Sequence, residues 1–234
     1  MSQRHRAPLS PLVEGELQLS KELGNYLVKV LRLRQGDRFT LFDPEQGSEA
    51  EAELLRDVPA LARVGAPRAV TRTSRREVRL LQGLAKHDKP EQVVRAAVAL
   101  GAARVTFMRT ARSVPGAELR QERLRAVMLD AARQCGRADL PELGGLQVFS
   151  AATDEAVGLR LLLAPTASRS LVQALAATAS DEPVTLAIGP EGGFSEEEEQ
   201  ALVSAGFEPV RLAPYVLRTE LAAVAALSVL AAHE

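Results

Sequence analysis

Three segments of the 234-residue sequence hold residues whose types and spacing suit ligand chemistry. In LAIGPEGGFSEEE, residues 186–198, an apolar run ends in Gly189-Pro190-Glu191-Gly192-Gly193, and a helical signal begins near Ser195. Glycines at the C-terminal end of a buried strand let the backbone pass close to a ligand, and open α/β sheets bind ligands at that end. The same glycines also suit a plain strand-to-helix turn needing positive φ, and spacing does not separate the two. The segment is not a phosphate-binding P-loop, which requires a following Gly-Lys-Ser/Thr, nor a dinucleotide GxGxxG. In RLAPYVLRTELAAVAALSVL, residues 211–230, Arg218 and Glu220 stand at the mouth of a wholly apolar helix. They are either a reactive pair or a surface ion pair. In MLDAARQCGRADLPEL, Arg133 and Arg137 lie four residues apart and so share a helical face, open to a polyanion or to solvent.

These residues need elements to position them. From Val78 onward, short apolar strands alternate with helices. VRLLQGLA, RVTFMRT, LRLLLAP, VTLAIGP and PVRLAP read as strands, the last reaching Pro214. EQVVRAAVALGA, RQERLRAVMLDAARQCGR, SLVQALAAT, EEEEQALVSAG and an apolar helix after Glu220 read as helices. This predicts an α/β domain with a mostly parallel sheet over 78–234. The EEEE run after Ser195 reads as a capped first turn, where carboxylates favour the helix dipole. Residues 1–70 predict a small β-barrel. RFTLFDPEQGSEAEAELL alternates with period two around a Pro/Gly turn, and a Ser20-capped helix before it places Leu23, Leu27, Val30 and Leu31 on one face. Pro67 to Arg76 has linker composition, and the linker is set at 71–77.

Composition is ordinary for a globular chain, at 46% hydrophobic and 25% charged, and with 3% aromatic residues the cores must be aliphatic. No window holds the roughly 18 apolar residues of a membrane span. The start of the chain lacks the apolar stretch of a signal peptide, and a lone Cys135 makes no internal disulfide, so a cytoplasmic protein is expected. The net charge of −1 conceals an imbalance: +3 over residues 1–79, +4 over 80–180 and −8 over 181–234. A basic first three-quarters could face RNA, though the same imbalance also describes ordinary solvated charge. His5, His87 and His233 show no metal-ligand spacing, so no metal is expected. Phe194 and Tyr215 are the isolated rings available for stacking on a base.

GPEGGFSEEE followed by VLRTE, with AARQCGR upstream, RSV at 112–114 and YLVKVLRLRQGDRFTLFD near the N-terminus, resembles the bacterial 16S rRNA uridine-N3 methyltransferase family. The likeness runs through almost the whole chain in order. It implies a knotted SPOUT methyltransferase: an N-terminal PUA-like β-barrel at 1–70, a C-terminal domain with a deep trefoil knot at 78–234, and a homodimer acting on 16S rRNA or the small ribosomal subunit. The implied cofactor is S-adenosyl-L-methionine, held by Leu163-Ala164-Pro165, by Gly189, Pro190, Glu191, Gly192 and Gly193, and by Leu212, Leu217 and Arg218. Arg218 would stabilise the ionising uracil, and Glu220 would orient Arg218 or take the N3 proton. Expected phosphate contacts are Arg4, Arg6, Lys29, Arg32 and Arg34, with Lys86, Lys89, Arg112, Arg133 and Arg137.

The sequence departs from that family's pattern at Ala164 and Thr166 in the first loop, at Ala213 and Tyr215 before VLRTE, and at Leu221 after it. Two other readings stand beside it. One is a knotted ribose 2′-O-methyltransferase, whose Asn-x-Gly…Arg signature is missing from LAKHDKPEQVVRAAVALGAAR. The other is an RNA-binding module whose glycine turns are purely structural.

Overall fold

The computed structural model describes residues 5–70, 75–113, 116 and 118–233. The chain divides into two compact units. One comprises Met1–Thr71 with Leu129–Leu140; the other comprises Arg72–Met128 with Pro141–Glu234.

The first unit is built on a six-stranded sheet. Its strands are β1 (Arg6–Pro8), β2 (Gly15–Gln18), β3 (Arg38–Asp43), β4 (Ser48–Arg56), β5 (Leu61–Val64) and β6 (Arg68–Ala69). Their order is β1-β3-β4-β5-β2, with β6 on β4, and all pairings but β1–β3 are antiparallel. In β4 the predicted alternation holds: Ser48, Ala50, Ala52 and Leu54 are buried, while the glutamates between them are not. The β3–β4 turn is closed by Asp43, whose Oδ1 accepts the N–H groups of Glu45 at 2.9 Å and Gln46 at 3.3 Å.

Ser20 caps α1 (Lys21–Asn25), its hydroxyl accepting the Leu23 N–H. The helix then continues as a π-helical turn over Tyr26–Val30, with the Leu31 N–H bonded to the Tyr26 carbonyl. That wider turn breaks the expected apolar face. Leu27 is fully buried, but Val30 is 65% exposed, because a π turn rotates later residues out of the α register. Of the expected linker, 71–77, residues 71–74 lie outside the described residues. Arg68–Ala69 pairs with β4, and Arg76, in the second unit, is buried with its guanidinium donating to the carbonyls of Ala179 and Ser180.

The second unit carries a six-stranded sheet, parallel throughout, ordered β12-β10-β11-β7-β8-β9. Its strands are β7 (Val78–Gly83), β8 (Arg104–Arg109), β9 (Glu142–Val148), β10 (Leu159–Leu163), β11 (Val184–Ile188) and β12 (Glu208–Val210). The helices are α2 (Lys89–Ala99), α3 (Gln121–Cys135), α4 (Phe149–Asp154), α5 (Leu171–Ala176), α6 (Glu196–Ser204) and α7 (Thr219–Ala232); α3 passes into the first unit at Leu129. The central strand β11 is buried at every residue, as a strand covered on both faces must be. No helix among the described residues is long and apolar enough to cross a membrane.

Three local expectations are corrected. The last strand ends at Val210 rather than Pro214, with an isolated bridge from Arg211 to Ser170 beyond it. Helix α7 begins at Thr219, so Arg218 is its N-cap and Glu220 lies in its first turn. Strand β9 and helix α4 occupy a stretch where the sequence showed neither.

Candidate functional site

The carboxyl ends of β7, β10 and β11 lie side by side in the second unit. Beyond β11, the chain turns through Gly189–Gly193 into α6. Ser195 and Glu198 close a reciprocal capping box at the start of α6, and Glu198 Oε1 also accepts the Ala111 N–H at 2.6 Å. Gly193 has φ +71°, a conformation that favours glycine, and a Cβ at Gly189 would sit 3.1 Å from the Gly193 backbone. Gly83, the last residue of β7, lies directly beneath this turn. A Cβ there would be 2.4 Å from the Pro190 nitrogen.

The turn is also tied from below by a buried polar chain. Gln82 on β7 donates from Nε2 to the Thr219 hydroxyl at 2.7 Å, and that hydroxyl donates to the Gly189 carbonyl at 2.6 Å. Gln82 and Thr219 are both buried, so the bond between them forms where water does not compete. The start of α7 is thereby fixed to the end of β11. Neither Gln82 nor Gly83 was singled out in the sequence. A glutamine in an otherwise apolar strand was the available signal for one, and nothing local marked the other.

The three loops converge on a cavity of about 450 Å³. Leu163, Ala164 and Pro165 line it from β10. Gly189, Pro190, Glu191 and Gly193 line it from the turn, and Leu212, Leu217 and Arg218 line it from the segment before α7. Tyr215 and Val216 stand at the same wall with their side chains largely exposed, Tyr215 at 84%. Of the residues expected at a cofactor, Gly192 alone is absent from the lining. Its neighbour is Arg112: a Cβ on Gly192 would meet the Arg112 Cβ at 3.2 Å, and Arg112 Nη1 donates to the Gly192 carbonyl at 2.8 Å.

Charge at the cavity is arranged differently from expectation. Lys89, the first residue of α2, lines the cavity with its side chain only 20% exposed. Its Nζ is 2.8 Å from Glu191 Oε1 and 3.6 Å from Glu220 Oε2. The hydrogen bond to Glu191 raises the Lys89 pKa above its ordinary value, against the opposing effect of burial. Burial pushes Glu191 up, but hydrogen bonds from Lys89 and from the Lys86 N–H outweigh it and hold the carboxyl below the usual range. Glu220, 12% exposed, pairs with Lys89 rather than with Arg218, and it is not part of the cavity wall. Arg218 lines the cavity, is exposed, and has no ion pair among the described residues.

The remaining expected phosphate contacts are scattered. Lys29, Arg32 and Arg34 are exposed in the first unit, while Arg4 lies outside the described residues. Arg6 packs over the Phe42 ring and pairs with Glu49 at 2.8 Å. The Arg133 guanidinium sits 4.7 Å from the Tyr26 ring centroid, and Arg137 forks onto Asp139 at 2.9 and 3.0 Å. Lys86 is exposed in the second unit. Phe194 lines the cavity but is buried and packs edge-on against Phe149, so it serves mainly as a core ring. Among the described residues no group of His, Cys, Asp and Glu could hold a metal ion.

Comparison with known proteins matches residues 72–231 to the family described as RNA methyltransferase domain, and residues 19–56 to RNA methyltransferase PUA domain. The ribosomal RNA small subunit methyltransferase E of Mycobacterium bovis is 34% identical over 221 residues, covering 87% of this chain and 81% of that one. A Legionella pneumophila methyltransferase, solved in complex with SAM, superposes with a TM-score of 0.84 at 32% identity, covering 99% of this chain and 98% of that chain. The small subunit methyltransferase E of Neisseria gonorrhoeae, solved bound to S-adenosyl methionine, also gives 0.84, at 26% identity over 96% and 95%.

Proposed function

The chain belongs to the ribosomal RNA small subunit methyltransferase E family, and we propose that it methylates N3 of a uridine in 16S rRNA, using S-adenosyl-L-methionine. The observation that carries the reading is the convergence of three loops on one cavity, with Arg218 on its wall making no ion pair among the described residues.

The cavity suits the cofactor. Its volume lies in the range of small-molecule sites, roughly 300–1,000 Å³. The Gly189–Gly193 turn offers close backbone groups for a nucleoside, and Leu212, Leu217 and Val216 offer apolar walls. When bound, the cofactor supplies a sulfonium methyl that is already activated, so no metal is needed. The protein's own work is then alignment and management of charge. Uridine N3 is a weak acid whose lone pair becomes available only as its proton leaves, and negative charge then spreads onto the flanking carbonyl oxygens. The Arg218 guanidinium is permanently charged and can donate to one of those oxygens as the charge develops. Among the described residues Glu220 lies 3.6 Å from Lys89 and makes no ion pair with Arg218, so no contact supports an orienting role toward Arg218.

The same reading extends to architecture. It gives the second unit a trefoil knot, as the family resemblance implies, and makes the first unit a PUA-like RNA-binding domain, supported by the match of residues 19–56. It places the protein in the cytoplasm with the small subunit. It also pairs two subunits through α7, whose residues 221–232 include only one polar side chain, Ser228. A ribose 2′-O-methyltransferase or a non-catalytic module would give different results in one experiment. Small subunits from a strain lacking the enzyme are incubated with protein and cofactor, and the product is mapped by mass spectrometry. Methyl on N3 of one uridine is expected; methyl on a ribose, or none, overturns the reading.

A further inference from the structure

Lys89 joins three separate chain segments at the cavity: its own α2, the turn after β11 through Glu191, and the first turn of α7 through Glu220. An ammonium has three donors and no acceptor. Glu191 engages one at hydrogen-bond distance, and Glu220 stands at 3.6 Å, so at least one donor is left for a ligand in the cavity that Lys89 lines. Glu220 behaves as a support: it is almost fully covered, its Oε2 is buried without a hydrogen bond, and Lys89 is the cation beside it. Uracil N3 lies between two carbonyl groups, so a site that stabilises its anion gains from a donor on each side. Arg218 and Lys89 are two such donors lining one cavity.

We propose that Lys89 is a catalytic residue that binds a carbonyl oxygen of the target uracil as N3 ionises, with Glu191 and Glu220 as its positioning residues. This rests on the N3 reading above, and it replaces the phosphate-contact role that the sequence suggested for Lys89. The N3 proton passes to solvent water, and Lys89 keeps its own proton throughout. The charged groups facing Lys89 are Glu191 from the turn and Glu220 from α7; Arg218, the N-cap of α7, and Glu199 from α6 line the same cavity, and Asp88, the N-cap of α2, and Glu91 in α2 flank it along the chain. With its pKa raised, Lys89 stays cationic as pH rises toward the range in which N3 ionises.

The test is the pH profile of single-turnover methylation of small subunits from a strain lacking the enzyme, for wild type, Lys89→Met, Lys89→Arg and Glu220→Gln. Lys89→Met should lose about 10- to 100-fold near neutral pH, equivalent to raising the bound N3 pKa by about one to two units, and should converge on wild type at high pH. Lys89→Arg should recover part of the rate, and Glu220→Gln should lose roughly tenfold or less. S-adenosylhomocysteine affinity, measured by calorimetry, should stay within about threefold in every variant, and the salt slope of RNA binding should not change. If Lys89→Met does not fold, Lys89→Met/Glu220→Gln, which removes the abandoned carboxylate, takes its place. A rate within about threefold of wild type at every pH overturns the proposal. So does a salt slope reduced by about one, the sign of a lost phosphate contact, or a fall in S-adenosylhomocysteine affinity as large as the fall in rate. Mapping the wild-type product in the same samples separates failure of this proposal from failure of the N3 reading.

Discussion

The Thr219 hydroxyl donates to the Gly189 carbonyl across 2.6 Å, joining the first residue of α7 to the first residue of the turn after β11. The same oxygen accepts from Gln82, so one hydroxyl serves three segments. Thr219→Val keeps the shape but leaves the buried Gln82 amide with only a 3.3 Å bond to the Gly83 carbonyl and takes the donor from the part-buried Gly189 carbonyl, at a cost of about 1–3 kcal/mol. Urea melts should show that loss, with Thr219→Ser recovering most of it. A Thr219→Val protein as stable as wild type would mean that water takes over the hydroxyl's role.

Gly193 and Gly192 should respond differently to bulk. Gly193→Val places a β-branched residue at φ +71° beside the cavity, a strain of about 1–3 kcal/mol. S-adenosylmethionine affinity should fall at least about tenfold in a protein that remains folded. Gly192→Val instead presses on the Arg112 Cβ at 3.2 Å, away from the cavity lining, so its affinity loss should be smaller. Calorimetry on both variants checks the order.

For RNA, the exposed Lys29 and Arg32 are better candidates than Arg6 or Arg137, which already hold carboxylates. Reversing both charges should weaken binding to 16S rRNA and lower the salt slope by about one to two, leaving cofactor affinity unchanged. An unchanged slope would make them solvated surface.

Helix α7 buries Ala223, Ala226, Leu227 and Leu230, yet Leu221 on another face is half exposed and Val224, Ala225 and Val229 are only partly covered. Sedimentation at micromolar concentration should therefore give a dimer, and Leu221→Glu should shift it toward monomer. A wild-type monomer would count against the pairing.

Glu155 supplies the pH dependence of stability. Burial alone would raise its pKa, but hydrogen bonds from Arg104, Gln147 and Thr106 outweigh that and lower it. A carboxyl with a lowered folded pKa stabilises the fold above its unfolded value near 4.3, and that contribution disappears as pH falls through the folded pKa. Glu155→Gln should melt about 5 °C below wild type at neutral pH, and the gap should close as pH drops below about 4. A gap that stays constant with pH would assign the loss to packing.

Much of this was legible where local chemistry and tertiary structure agree. Ser195 and Glu198 announced the capped helix after the glycine turn, and the alternating Ala and Glu of β4 announced its buried face. Strand β9 was hidden because its centre is Gly144-Gly145. A Cβ on Gly144 would meet the Thr106 hydroxyl at 2.2 Å, and Gly145, at φ +73°, sits where the pairing with β8 shifts register. The π turn at Tyr26–Val30 was illegible for another reason, since the heptad-like spacing of leucines and valines fits an α-helix equally well. Lys89 and Glu220 are far apart in sequence, and only the crossing of α2 and α7 brings their charges together.

Position 83 constrains descent as well as folding. Because a Cβ at Gly83 would lie 2.4 Å from the backbone nitrogen of Pro190, the two positions cannot drift independently. A lineage that keeps this turn must keep glycine at 83, however freely its surface lysines and arginines are exchanged. A relative bearing any side chain there has moved or rebuilt the turn. Such a sequence has changed its cofactor pocket, even if its Gly-Pro-Glu-Gly-Gly is intact.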